Sequence, residues 1–312
     1  MEMRRKTKMT RNKNKYIFRR YTYLLIGVFF FGNIWAQENE YINNDDLTNH
    51  TSAKETSILQ NQCLLPTRHT LNTTMIAAGS ANMYDTYLSP LEYDGFSIRV
   101  INERMRDTFW FNGKFRKQQV MEAEFASGQS PARNVREYWG KIRYQLGGHY
   151  LLHKQQTLQL SAGGYWDITA AGLYNERNGN NPATGRIYTN LNLSVMASYK
   201  WNKMALRWQI DTPFAGMLFS PKYGQSYYEM SLGNTVGIVN FASFHNQRAL
   251  RNFITVDLAF SKYILRLGYL GDWYQTKVNN IITHHYTHSF VIGFPLEGIM
   301  KKKEKARNSY WN

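Results

Sequence analysis

The chain has 312 residues, is 15% aromatic and carries a formal net charge of +16. A mean hydropathy of −0.52 excludes a helical membrane protein. Cys63, the single cysteine, excludes an intramolecular disulfide and a cysteine metal cluster.

Residues 1–36 read as a secretory signal. A long basic stretch ends at Arg19 and Arg20, and an apolar core follows over 21–31, too short for the roughly 20 residues that span a bilayer. Cleavage is expected after Ala36. Residues 37–67 are polar, with Glu38, Glu40, Asp45, Asp46 and Glu55, and read as a flexible periplasmic segment or partial plug. Residues 297–312 form a basic tail with Lys301, Lys302 and Lys303. Residues 1–36 hold nine Lys/Arg against one acid, and residues 301–312 hold five against one. The basicity therefore sits in a leader and a tail, and no nucleic-acid partner is expected.

From about residue 70 the period is two rather than 3.6. Leu158, Leu160, Ala162, Trp166 and Ile168 alternate with Gln159, Ser161 and Asp167, with Tyr165 as an exception. Leu191, Leu193, Val195 and Ala197 alternate with Asn190, Asn192, Ser194 and Ser198, and Met204, Leu206, Trp208 and Ile210 with Arg207, Gln209 and Asp211. Such long amphipathic strands, rich in aromatics, predict an all-β, up-and-down antiparallel transmembrane β-barrel over 68–296. Twelve strands are expected, with ten or fourteen as alternatives: 70–78, 94–109, 114–127, 137–152, 156–170, 187–200, 203–211, 213–220, 226–240, 250–262, 264–274 and 283–294. Short turns then alternate with longer connections near 79–93, 128–136, 171–186, 241–249 and 275–282, apart from a brief break at Thr212-Pro213. This pattern puts both termini in the periplasm of a Gram-negative outer membrane. A charge at Leu193 is expected to be costly, and one at Asn192, facing the lumen, less so.

The last strand ends Phe290-Val291-Ile292-Gly293-Phe294, which resembles the assembly signal of outer-membrane proteins and implies the barrel-assembly machinery as a partner beside outer-membrane lipid. Two further stretches carry a family resemblance: Asp85-Thr86-Tyr87-Leu88-Ser89-Pro90-Leu91-Glu92-Tyr93, and Phe219-Ser220-Pro221 followed by Tyr223-Gly224-Gln225-Ser226-Tyr227-Tyr228-Glu229. Together they resemble an uncharacterised Bacteroidetes family of outer-membrane β-barrels under a domain-of-unknown-function label. The resemblance implies a barrel and its location but no activity, so no catalytic, cofactor or metal residue follows from it.

There is no glycine-rich phosphate loop and no GxSxG elbow. Two constellations remain. By parity Glu103, Glu122, Glu124, Lys141, Arg143, Arg207, Asp211, Arg251, Asp257, Arg266 and Asp272 point into the lumen, with Glu122 opposite Lys141 in a simple hairpin register. Charges of both signs in a narrow lumen lock one another, so a largely side-chain-filled interior is expected, with a structural, narrow-passage or binding role and no cofactor. The alternative is a lipid hydrolase or acyltransferase, which needs Ser, His and an orienting polar group on the lipid side. The residues for it are His284, His285, His288, Ser289 and Asp85, although His288 and Ser289 fall on opposite faces of an extended strand.

Overall fold

The computed structural model describes residues 70–179, 181–260 and 263–297. The expected leader, the 37–67 segment, Cys63 and the tail beyond 297 lie outside the described residues. Among the described residues the strands are β1 (Thr70–Asp85), β2 (Tyr93–Asp107), β3 (Phe115–Gln129), β4 (Arg136–Lys154), β5 (Leu158–Asn175), β6 (Ala183–Trp201), β7 (Met204–Phe219), β8 (Val239–Ser243), β9 (Gln247–Ala259), β10 (Ile264–Val278) and β11 (Ile281–Glu297), with one short helix, α1 (Tyr227–Ser231). Every pairing is antiparallel. The wall runs β1 to β7, then β9, β10 and β11, and closes by pairing β11 with β1. Ten strands thus form a closed barrel, and β8 pairs with the far end of β7.

Alternation along the strands decides which face is which. On β6, Leu191, Leu193 and Val195 are exposed, while Asn190, Asn192 and Ser194 are buried. Ile98 and Val100 are exposed on either side of the fully buried Arg99. Apolar side chains therefore face outward and polar ones inward, the reverse of a water-soluble sandwich and the arrangement a bilayer requires. The interior also holds apolar clusters. Leu71, Met105, Met196 and Ala205 pack near the end with the termini; Met83, Leu88, Tyr93, Val135 and Trp139 pack near the other. The first end carries the connections β2–β3, β4–β5, β6–β7 and β9–β10 and is called the turn end; the second is the loop end.

The wall has ten strands rather than the expected twelve, for two local reasons. Thr212-Pro213 is not a connection, because β7 runs through it. Pro213 lies beside a bulge opposite Leu191 and Asn192, in the gap where β7 stops pairing with β9 at Asp211 and starts pairing with β8 at Ala215. A residue with no N–H is tolerated at such an interruption of the ladder. Residues 226–240 are mostly not extended either. The Ser226 hydroxyl accepts from the Glu229 N–H while the Glu229 carboxylate accepts from the Ser226 N–H, a capping box that starts α1. Gly233 and Gly237 then take positive φ and turn the chain back to β8.

The long connection expected at 275–282 is also replaced. Asn279 and Asn280 adopt φ of 56° and 62°, a two-residue turn of the kind that matches strand twist, so β10 and β11 run right up to it.

Close strand approach makes particular glycines indispensable. A Cβ on Gly147 would lie 2.0 Å from the Gly164 carbonyl oxygen, whereas one on Gly140 meets nothing within 4 Å. Gly147→Ala is expected to cost about 3 kcal/mol or more, and Gly140→Ala close to nothing. Urea titration of the barrel in vesicles tests the contrast; equal stability of the two variants would contradict the β4–β5 register.

Candidate functional site

The lumen is built around Arg99 on β2. Its guanidinium donates to Asp272 (2.9 Å), Glu124 (2.9 Å), Glu122 (3.3 Å) and the Thr287 hydroxyl. The Lys141 ammonium reaches Glu124 (2.6 Å), Glu122 (3.1 Å) and Asp272 (3.1 Å). Arg251 pairs with Glu122 (2.7 Å) and Asp272 (3.4 Å), and Arg143 with Asp167 (3.0 Å). Each carboxylate thus meets at least one cation in a water-poor interior, which is the condition for buried charges to be stable there.

A second group lies nearer the turn end. Arg266 bonds both oxygens of Asp257 (2.6 and 2.7 Å) and also Glu103 (2.7 Å); Glu103 accepts from Arg207 (2.9 Å), whose guanidinium stands over the Phe253 ring. Beside it, Asp211 accepts from Ser194 (2.5 Å) and Gln209 (3.0 Å), and the Tyr165 hydroxyl donates to Gln118 (2.8 Å). Tyr165, out of place as an aromatic in a polar row, is thus a lumen residue held by polar partners.

The eleven charged residues assigned inward by parity all lie on the lumen side. The expected register is corrected: Glu124, not Glu122, stands opposite Lys141, and Glu122 stands opposite Arg143. The β3–β4 connection closes with Gln129 paired to Arg136, which shifts the ladder by two residues. Lys141 still reaches Glu122, diagonally. Sequence reasoning missed Arg99, although it shares parity with Glu103. It also missed the Asp85–Arg186 pair (2.5 Å), because Asp85 reads as a loop residue and is in fact the last residue of β1.

Four of the pairs named above bridge strands five places apart in a ring of ten. Asp85 of β1 meets Arg186 of β6, Asp272 of β10 meets Lys141 of β4, Glu122 of β3 meets Arg251 of β9, and Glu103 of β2 meets Arg207 of β7. They join diametrically opposite walls at three places along the axis. The cavity left among Arg143, Asn190, Asn192, Asp211, Gln247 and Tyr274 measures about 30 Å³. That holds about one or two water molecules. Asn190 Oδ1 and Asn192 Nδ2 line it without a protein hydrogen bond.

Hydrogen bonds also tie the connections at the loop end to one another and to the wall. Tyr87 donates to the Gln225 carbonyl (2.8 Å), the Tyr227 hydroxyl accepts from the Gly185 N–H (2.5 Å), and Asn279 donates to the carbonyls of Ser220 and Gly237 (both 2.9 Å). Burial, then Tyr227 and the carboxylates of Asp85 and Glu229, push the Tyr87 phenol up from its ordinary value and keep it a donor.

The residues of the hydrolase alternative are not brought together. His284 and His288 lie on the outer face of β11, while His285, Ser289 and Asp85 are buried inward. His285 bonds Glu124 (2.8 Å) and stacks on Trp139. His288 stands opposite Gly271; its Nδ1 lies 2.6 Å from the Tyr269 hydroxyl, and its Nε2 accepts from the Trp273 indole (3.3 Å). Both ring nitrogens are thus engaged by neighbours that lean over a glycine, a packing role.

The family described as "Protein of unknown function (DUF3316)" matches residues 25–305. The chain belongs to this family. No curated protein matches it. Among solved structures it is similar to the translocator domain of the autotransporter NalP from Neisseria meningitidis, at 8% identity and a TM-score of 0.38, covering 77% of this chain and 93% of that one. It is similar to the transport unit of the autotransporter AIDA-I from Escherichia coli, at 8% identity and a TM-score of 0.39, covering 86% and 96%. It is also similar to Ail, the attachment invasion locus protein of Yersinia pestis, at 8% identity and a TM-score of 0.24, covering 72% and 99%. The barrel itself rests on the strand pairings described above.

Proposed function

We propose that this member of DUF3316 is a non-catalytic barrel of a Gram-negative, Bacteroidetes-type outer membrane, closed to solutes, which acts through its outer wall and loop end. The observation that carries the reading is the set of ion pairs between opposite walls, because a solute path needs open cross-section where these side chains meet. Outer-membrane placement is supported by the outward apolar face and the antiparallel closure. Periplasmic termini are supported by the short connections that share their end of the barrel. The outward Phe290, Ile292 and Phe294 of β11 suit recognition by the barrel-assembly machinery. The lipid-hydrolase reading has less support, since Ser289 and Asp85 lie on the wrong side of the wall from His284.

Planar-bilayer recording of the purified full chain tests the closed lumen. We expect no steady single-channel current in molar potassium chloride. Sustained porin-like steps from the unmodified protein would sink the proposal.

A further inference from the structure

The outward wall has a bare region across β4, β5 and β6, and we propose that it is a binding groove for an acyl chain of an anionic lipid; this rests on the outer-membrane reading above. Gly140 of β4 stands opposite Gly172 of β5, and Gly172 opposite Gly185 of β6, so three glycines form one cross-strand row. The row on the turn-end side carries Ile142, Ala170, Ile187 and Phe219. Together with Tyr227 at one end, these residues line an open groove of about 660 Å³. Elsewhere the same face bears exposed bulky residues such as Ile98, Leu193 and Phe290.

Internal packing does not require these three glycines. A Cβ on Gly140 meets nothing within 4 Å; on Gly172 its nearest neighbour is the Thr184 carbonyl at 3.7 Å, and on Gly185 the Tyr227 hydroxyl at 3.8 Å. By contrast, Gly79, Gly95 and Gly163 each lie so close to a neighbouring strand that a Cβ would sit 1.9 Å from a carbonyl oxygen. Glycine inside a strand weakens it unless something approaches the bare backbone closely. Here that space faces the bilayer.

Charge at the rim selects the occupant. Above the groove, the β3–β4 connection carries Arg133, β4 begins at Arg136, and the β5–β6 connection carries Arg177 against Glu176, whose carboxylate already accepts from the Tyr138 hydroxyl (2.8 Å). Arg136, Tyr138 and Gly140 follow one another on the outward face of β4, so a cation stands at headgroup level over an apolar trough. Barrel strands tilt by about 40°, so a cross-strand row lies about 50° from the membrane normal, an incline a descending chain can follow. A second copy fits less well, because a two-fold contact sets groove against groove and fills neither.

The test is native mass spectrometry of the folded full chain in detergent, titrated with phosphatidylglycerol or phosphatidylcholine. The wild type is expected to retain one phosphatidylglycerol in preference to phosphatidylcholine. Gly172→Leu, whose Cβ has room, should fold normally by heat-modifiable gel migration yet lose at least tenfold of that retention, and Ala170→Phe should do the same. Arg133→Ser with Arg136→Ser should bring phosphatidylglycerol down to the phosphatidylcholine level. Equal retention by the wild type and a folded groove-filled variant would overturn the proposal. So would absence of any headgroup preference in the wild type, or a wild-type dimer that Gly172→Leu dissolves. Failure of the wild type to insert into vesicles is a separate result, which would overturn the outer-membrane reading itself.

Discussion

Arg99→Met is expected to destabilise the folded barrel by about 3–5 kcal/mol, the cost of leaving a buried charge without its partner. Arg99 is 1% exposed and bonds three carboxylates, so its loss leaves Glu122, Glu124 and Asp272 with Lys141 and Arg251 as their main remaining cations. One negative charge is then uncompensated in a low-dielectric interior. Arg99→Met with Glu124→Gln restores the balance and should be more stable than Arg99→Met alone, a non-additivity expected only of groups sharing one network. Urea titrations in vesicles of all three single and double variants give the comparison. A change under about 1 kcal/mol for Arg99→Met would mean that water reaches the network and that the lumen is wetter than its geometry indicates.

Leu193→Arg should cost about 2–4 kcal/mol, because an arginine near the bilayer midplane on the lipid face is strongly unfavourable. Leu193 lies near the middle of β6 and is 52% exposed on the outward face. Tyr199→Arg, on the same face but close to the turn end, should cost only about 0–1 kcal/mol. Folding free energies in vesicles would show this depth dependence; equal costs at the two positions would mean that the outward face does not lie in a bilayer. The lumen side of β6 is not the tolerant control that alternation alone suggests. Asn192 is 5% exposed and lines the cavity of about 30 Å³, so an arginine there has no room.

The period-two alternation of Leu191, Leu193 and Val195 against Asn190, Asn192 and Ser194 determined the barrel class and the inward face from sequence alone. Side chains on a strand alternate without reference to anything distant, so this information is local. The inward placement of Glu103, Lys141 and Asp272 follows from the same rule. Pro213 and the 226–240 segment were not legible in that way. Whether a proline ends a strand depends on whether its neighbour needs the missing N–H, and here the neighbour changes from β9 to β8 at that point. Register has the same character: Glu124 rather than Glu122 faces Lys141 because the β3–β4 connection closes two residues later than the simplest hairpin. The pairs Asp85–Arg186, Asp272–Lys141 and Glu103–Arg207 were beyond sequence reasoning altogether. Their partners belong to opposite sides of a ring whose strand number must be known before any residue can be said to face another, and only tertiary closure sets that number.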